Sequence, residues 1–94
     1  GATFDLNSST GKVLRAYTTE NKDLKNIIDK KGYIYTTGER LENIASVAIP
    51  IFDIQDNFKG TLSVSGWKQF FTTKSVSKFY KILLKHKKQI RVLI

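Results

Sequence analysis

The residues able to do chemistry are unevenly spread along this 94-residue chain. The carboxylates open to acid–base work are Asp5, Glu39, Glu42, Asp53 and Asp56, and none is spaced to form a working pair with a base. His86 stands among lysines, where a solvated imidazole is the ordinary reading. Serines are plentiful, yet no G-x-S-x-G turn presents one as a nucleophile. Gly11-Lys12 lacks the glycine spacing of a phosphate loop. Cysteine is absent, which removes thiolate catalysis, disulfides and cysteine-held zinc, and one histidine cannot build a histidine-rich metal site. These patterns argue against an enzyme and give no cofactor a home.

Hydroxyls and bases remain. Ser8-Ser9-Thr10 precedes Gly11-Lys12, and hydroxyl oxygens there can accept from the N–H groups that a first helical turn leaves unpaired. Thr61, Ser63 and Ser65 alternate, which on the residues alone reads as the solvent face of a half-buried strand. The bases are segregated. Residues 1–56 hold seven bases and eight acids; residues 57–94 hold nine bases and no acid, so the whole net charge of +8 arises there. Such a block draws nucleic acid, an acidic membrane surface or an anionic partner, or is a solvated face. Trp67, Phe70, Phe71, Phe79 and Tyr80 lie among these bases, though most fall at core spacing. A small nucleic-acid-binding module is therefore the alternative reading. With no groove-reading element, it allows weak, salt-sensitive, sequence-independent binding at most.

The length allows one domain, and 40% hydrophobic with 26% charged residues is a globular composition. No apolar run approaches the ~18 residues of a membrane span, and Gly1-Ala2-Thr3-Phe4-Asp5 has no signal-peptide pattern, so a cytoplasmic protein without a membrane partner is expected. Thr3–Leu6 is a short strand or a frayed end. Val13, Leu14 and Tyr17 predict a helix over about residues 10–17. A second helix carries Leu24, Ile27 and Ile28, with Thr18-Thr19-Glu20 as its cap, Lys30-Lys31 in its last turn and Gly32 as its stop. Tyr33–Thr37 is a strand, and residues 38–43 form a polar loop. Ile44–Phe52 is a second strand, with Ala45, Val47, Ile49 and Ile51 on one face and Ser46, Ala48, Pro50 and Phe52 on the other; Pro50 marks an edge or a bulge. After a turn at residues 53–57, Phe58–Ser65 closes an antiparallel hairpin, ended by Gly66. Thr72-Thr73-Lys74-Ser75 caps a last helix with Val76, Phe79, Tyr80, Leu83 and Leu84 on one face. Lys74, Lys78, Lys81, Lys85 and Lys88 fall on the opposite face. The second and last helices are expected to cover one side of the sheet.

Four of these segments occur in a familiar order. They are Ser8-Ser9-Thr10-Gly11-Lys12-Val13-Leu14, Gly32-Tyr33 with Glu39 downstream, Ile44-Ala45-Ser46-Val47-Ala48-Ile49-Pro50-Ile51-Phe52-Asp53, and Gly60-Thr61-Leu62-Ser63-Val64-Ser65-Gly66. Together they resemble the effector-binding domain of IclR-type transcriptional regulators. The resemblance implies an α+β, GAF-like antiparallel sheet with flanking helices. It also implies a domain that senses a small anionic metabolite, associates into homo-oligomers, and meets DNA only through a winged helix-turn-helix domain that residues 1–94 do not contain. On this reading the chain is a single, partial effector-binding domain lacking the first strands.

The resemblance also implies a site. Backbone N–H groups of Ser9, Thr10 and Gly11 would hold a carboxylate, which suits the exposed donors and positive dipole end of a helix start. Ser63 and Ser65, two apart and so on one strand face, would hold further oxygens. Ser46 would line the same pocket. Thr36 occupies a position where the family usually carries an acid, and Glu39 matches the family's downstream acid. Trp67 stands where proline is usual.

Overall fold

A strand that is apolar on both faces has to be covered on both, and Ile44–Phe52 is such a strand: all of its residues but the two ends are buried. The computed structural model describes residues 9–18, 21–37 and 43–93. In chain order these form α1 (Ser9–Thr18), α2 (Lys22–Lys31), β1 (Ile34–Thr37), β2 (Ile44–Phe52), β3 (Phe58–Trp67), a 3₁₀ turn at Lys68–Phe70, and α3 (Thr73–Leu93). The strands make one antiparallel sheet in the order β1-β2-β3, so the fold is α+β as expected. The expected strand or frayed end at Thr3–Leu6, the hydroxyl of Ser8, the cap candidates Thr19 and Glu20, and the loop residues Glu39, Arg40 and Glu42 lie outside the described residues.

Local chemistry explains most of the boundaries. Thr18 ends α1 instead of capping α2, because its Oγ1 donates back to the Leu14 carbonyl at 2.7 Å. Asn21 caps α2 instead, its Oδ1 accepting from Leu24 N at 3.1 Å. Gly32 stops α2 in the left-handed region at φ 87, its N–H donating to the Ile28 carbonyl. Tyr80 of α3 packs so closely against this turn that a Cβ on Gly32 would overlap its phenol ring. β1 begins level with Ala48, so the stretch of β2 around Pro50 pairs only with β3, and a bulge follows between Ile51 and Phe52.

β3 does not end at Ser65. Gly66 pairs with Ala45 and Trp67 with Ile44, so the glycine is an interior strand residue. In the hairpin turn, the buried Asp53 carboxylate accepts from the N–H groups of Gln55 and Asn57, both at 2.9 Å, and from Asn57 Nδ2 at 3.3 Å. At the start of α3, Thr72 and Ser75 cap reciprocally: Thr72 N donates to Ser75 Oγ at 2.7 Å and Ser75 N to Thr72 Oγ1 at 3.2 Å. At its far end, Arg91 pairs with Asp56.

The two faces of β2 belong to different cores. Ala45, Val47, Ile49 and Ile51 pack with Phe71 and with Val76 and Leu83 of α3. Ala48 packs on the other face with Ile34, with Val13 and Ala16 of α1, and with Ile28 of α2. The expectation that the second and last helices share one side is therefore corrected. They lie on opposite faces, because a central strand buried on both faces needs cover on both.

Candidate functional site

Strand pairing gathers four of the expected site residues into one block. Thr36 lies opposite Ser46, and Ser46 opposite Ser65, so a row of hydroxyl residues crosses all three strands. The next row along is Ile34, Ala48 and Ser63. Directly opposed residues share a sheet face, and positions two apart repeat it. Since Ile34 and Ala48 pack on α1 and α2, the whole block faces those helices.

The row grades from buried to wet. Thr36 and Ser46 are 6% and 8% exposed, and their hydroxyl oxygens are 3.3 Å apart, a hydrogen bond in which either can donate. Ser63 and Ser65, on the edge strand, are exposed. A hydroxyl both donates and accepts, so the block can meet an anionic oxygen or a neutral one. Thr36, where the resemblance implies an acid, adds no negative charge that would repel an anion.

The direction of α1 follows from its contacts. Tyr17, near its end, packs against Phe52 and Phe58 with ring centroids 5.3 and 5.0 Å away, at the hairpin end of the sheet. Val13, one turn earlier, is fully buried with Ile34 and Ala48. From Val13 back to Ser9 is about 6 Å of helix rise, and from Ala48 back to Ser46 is about 6–7 Å of strand. The start of α1 is therefore directed toward the end of the sheet that carries Thr36, Ser46 and Ser65. Gly11 is buried there, and the first turn of α1 contains no acid to oppose an anion. Ser9 and Thr10 supply backbone to this turn; their side chains lie outside the described set.

In the sequence Trp67 reads as an aromatic among bases, standing where the resemblance implies proline, with no place in the site. Because β3 runs on through Gly66, Trp67 continues the Ser63, Ser65 alternation and lies on the same sheet face. It is 57% exposed. Among the described residues, Asn43, Trp67, Lys68 and Gln69 line an open depression of about 690 Å³ at this end of the sheet, pinned by Lys68 N donating to the Asn43 carbonyl at 2.7 Å. The two-residue period from Ser63 onward was the available signal.

Elsewhere, shifted groups serve the fold. Hydrogen bonds, chiefly from the Asn57 backbone, hold the Asp53 carboxyl below the usual carboxylate range. Burial first, and the charge of Asp29 second, raise the Tyr17 phenol. Among the described residues, no group of three His, Cys, Asp or Glu could hold a metal ion, and no helix is long and apolar enough to cross a membrane.

Comparison with known proteins gives the fold its relatives. The chain is similar to a protein described as an IclR-family transcriptional regulator from Rhodococcus sp., with a TM-score of 0.82 at 16% identity over 98% of this chain. It spans 44% of that regulator's length. It is similar to the C-terminal domain of the E. coli transcriptional regulator KdgR, with a TM-score of 0.81 at 19% identity, covering 98% of this chain and 72% of that one. A third relative is a double mutant of the PobR inducer binding domain from Acinetobacter in complex with 3-hydroxybenzoic acid, with a TM-score of 0.79 at 16% identity, covering 100% of this chain and 69% of that one. At these identities the likeness is one of fold. No curated protein matches the chain. The family model described as "Bacterial transcriptional regulator IclR C-terminal" matches residues 19–92, and by that match the chain belongs to the family of IclR-type regulator C-terminal domains.

Proposed function

We propose that this chain is a ligand-sensing domain of a DNA-binding transcriptional regulator, and that it takes a small anionic metabolite between α1 and the exposed part of the sheet. The observation that carries the reading is the hydroxyl row Thr36–Ser46–Ser65, laid across all three strands on the face that α1 covers. An interior sheet face filled only for stability favours apolar residues; two buried hydroxyls in one row are a polar provision inside it. Backbone donors at Ser9, Thr10 and Gly11 take one end of a carboxylate, and the hydroxyls of Ser63 and Ser65 take its other oxygen or a neighbouring group. Thr36 and Ser46 form the floor, and the Trp67 indole is a flat wall beside it. The bound 3-hydroxybenzoic acid of the PobR domain supports a ligand of this size and charge. The regulator's specific contact with DNA is made by a winged helix-turn-helix outside residues 1–94, in a cytoplasmic homo-oligomer.

The test is a thermal-shift screen of small carboxylates and aromatic acids, followed by titration of the best one into wild type, Ser63→Ala and Ser65→Ala. A ligand at 100 times its Kd adds about 2.7 kcal/mol of stability. Losing one serine contact weakens binding by roughly 0.5–1.5 kcal/mol for a neutral hydrogen bond, or ~1.5–3 kcal/mol for one to a charged oxygen. If both variants bind as tightly as wild type, the serines are not ligand contacts and the site is misplaced.

A further inference from the structure

The face of α3 turned away from the sheet is assigned no role by the ligand site, and its composition is unusual. Lys74, Lys78, Lys81, Lys85 and Lys88 are all exposed. At 100° per residue they fill one narrow strip opposite the core-facing Val76 and Leu83, with no other residue type between them. A solvated helix face normally interleaves acids and bases and gains from each pair; like charges three and four apart work against the helix. Here every neighbour along the strip is a like charge, and residues 57–94 contain no acid. Among the described residues, the ion pairs of this half of the chain are Lys59 with Asp53 and Arg91 with Asp56, so both nearby acids are engaged elsewhere. None of the five lysines has an ion-pair partner among the described residues.

From this strip we infer that α3 binds the phosphate backbone of duplex DNA without reading its sequence. The strip from Lys74 to Lys88 is about 21 Å long at 1.5 Å per residue, a straight line of positive charge opposite a straight polyanion. DNA carries one negative charge per roughly 1.7 Å of axis. A membrane surface fits less well. A surface-bound helix inserts its apolar face between lipids, and α3 has already spent that face on the sheet. Nor does the strip carry what reads base edges: it presents lysines alone, with no Arg, Asn or Gln interleaved to pair with guanine or adenine. Phosphate contact alone remains, so the binding is independent of sequence and sensitive to salt. This surface is remote in the fold from the hydroxyl row, being on the other side of the sheet, so either assignment can fail without the other.

The experiment is fluorescence anisotropy of the whole chain with two unrelated duplexes across a sodium chloride series. The expected result is equal affinity for both duplexes, with a log–log salt slope of about −2.7 to −4.5 for three to five phosphates neutralised. Lys78→Glu/Lys81→Glu/Lys85→Glu should lower affinity at least tenfold with an unchanged circular-dichroism melt. A control with the same charge change on exposed positions of α2, Lys22→Glu/Lys30→Glu/Lys31→Glu, should keep affinity within about threefold of wild type. Equal losses in the two triple variants would show net charge alone at work and overturn the assignment. So would unchanged binding in the α3 variant, a preference for one duplex that survives moderate salt, or binding to phosphatidylglycerol vesicles without binding to duplex.

Discussion

The paired hydroxyls of Thr36 and Ser46 offer a test of why polar groups sit inside this sheet at all. Both residues are nearly sealed, at 6% and 8% exposure, and their oxygens are 3.3 Å apart. Thr36→Val keeps the shape and removes one hydroxyl of the pair; Ser46→Ala takes from the buried Thr36 hydroxyl its partner in Ser46. Leaving a buried polar group short of a partner costs about 1–3 kcal/mol, whereas replacing both partners by apolar groups is nearly neutral. In a domain of this size each kcal/mol moves Tm by roughly 4–8 °C. Ser46→Ala should therefore melt several degrees below wild type, Thr36→Val less so because Ser46 keeps a further interaction, and the double variant should recover most of the Ser46→Ala loss. In a double-mutant cycle from urea unfolding, that is a coupling of about 0.5–3 kcal/mol. If the two effects simply add within about 0.5 kcal/mol, each hydroxyl is satisfied independently and the pair is not a unit. The second readout is ligand response. A double variant that is as stable as wild type but has lost the thermal shift of the screened acid places the hydroxyls in binding. One that keeps the shift in full shows that the floor of the block does not touch the ligand.

Two further outcomes follow from the turns. Gly32→Ala meets both a left-handed φ of 87 and the Tyr80 ring against the new Cβ, so it should destabilise by roughly 1–3 kcal/mol for the backbone alone and more for the clash; if Gly32→Ala costs as much in a Tyr80→Ala background as in wild type, the clash has no part. Asp53 has its folded pKa held below the unfolded value of about 3.9, so its contribution is present in full above that value and is lost as pH falls through the folded one. A plot of Tm against pH from 6 down to 2.5 should fall more steeply below about pH 4 in wild type than in Asp53→Asn, and parallel curves would refute the assignment.

What could be read from the sequence, and what could not, divides by range. Periodicity gave β2 with its bounds and both of its faces, because alternation is a property of the strand itself. Gly32 and Lys30-Lys31 marked the end of α2 for equally local reasons. The cap of α2 was misplaced onto Thr18 because a threonine hydroxyl can either cap forward or donate back to Leu14, and the sequence does not say which. Gly66 read as a terminator because glycine weakens strands, but its pairing with Ala45 is supplied by β2 and outweighs that preference. The side of the sheet on which α2 and α3 lie is a matter of chain path, and no local pattern in either helix encodes it. The site divides in the same way. Ser46 and Ser65 were separately visible, but that they stand opposite each other, with Thr36 completing the row, depends on register.

The unequal filling of the two sheet faces bears on which of them can hold a ligand. The α3 face is packed with large side chains, among them Ile49, Ile51, Phe71 and Leu83, the make-up of a close-packed layer. The α1 face is lined instead by Ala16, Ala48, Ser46 and Thr36 around Val13, Ile28 and Ile34. Small and hydroxyl side chains contribute less apolar burial per residue, so away from the Tyr17–Phe58 contact the amides of this face are expected to exchange with solvent sooner than those of the α3 face, which hydrogen exchange would check. A site that must admit and release a small molecule gains from such opening, and a ligand bound there restores stability in proportion to its occupancy. On the proposed reading the α3 half serves as a platform, and its outer surface is expected to be the same with and without ligand. That is the half carrying the lysine strip, so phosphate contact there should depend on salt and not on the ligand.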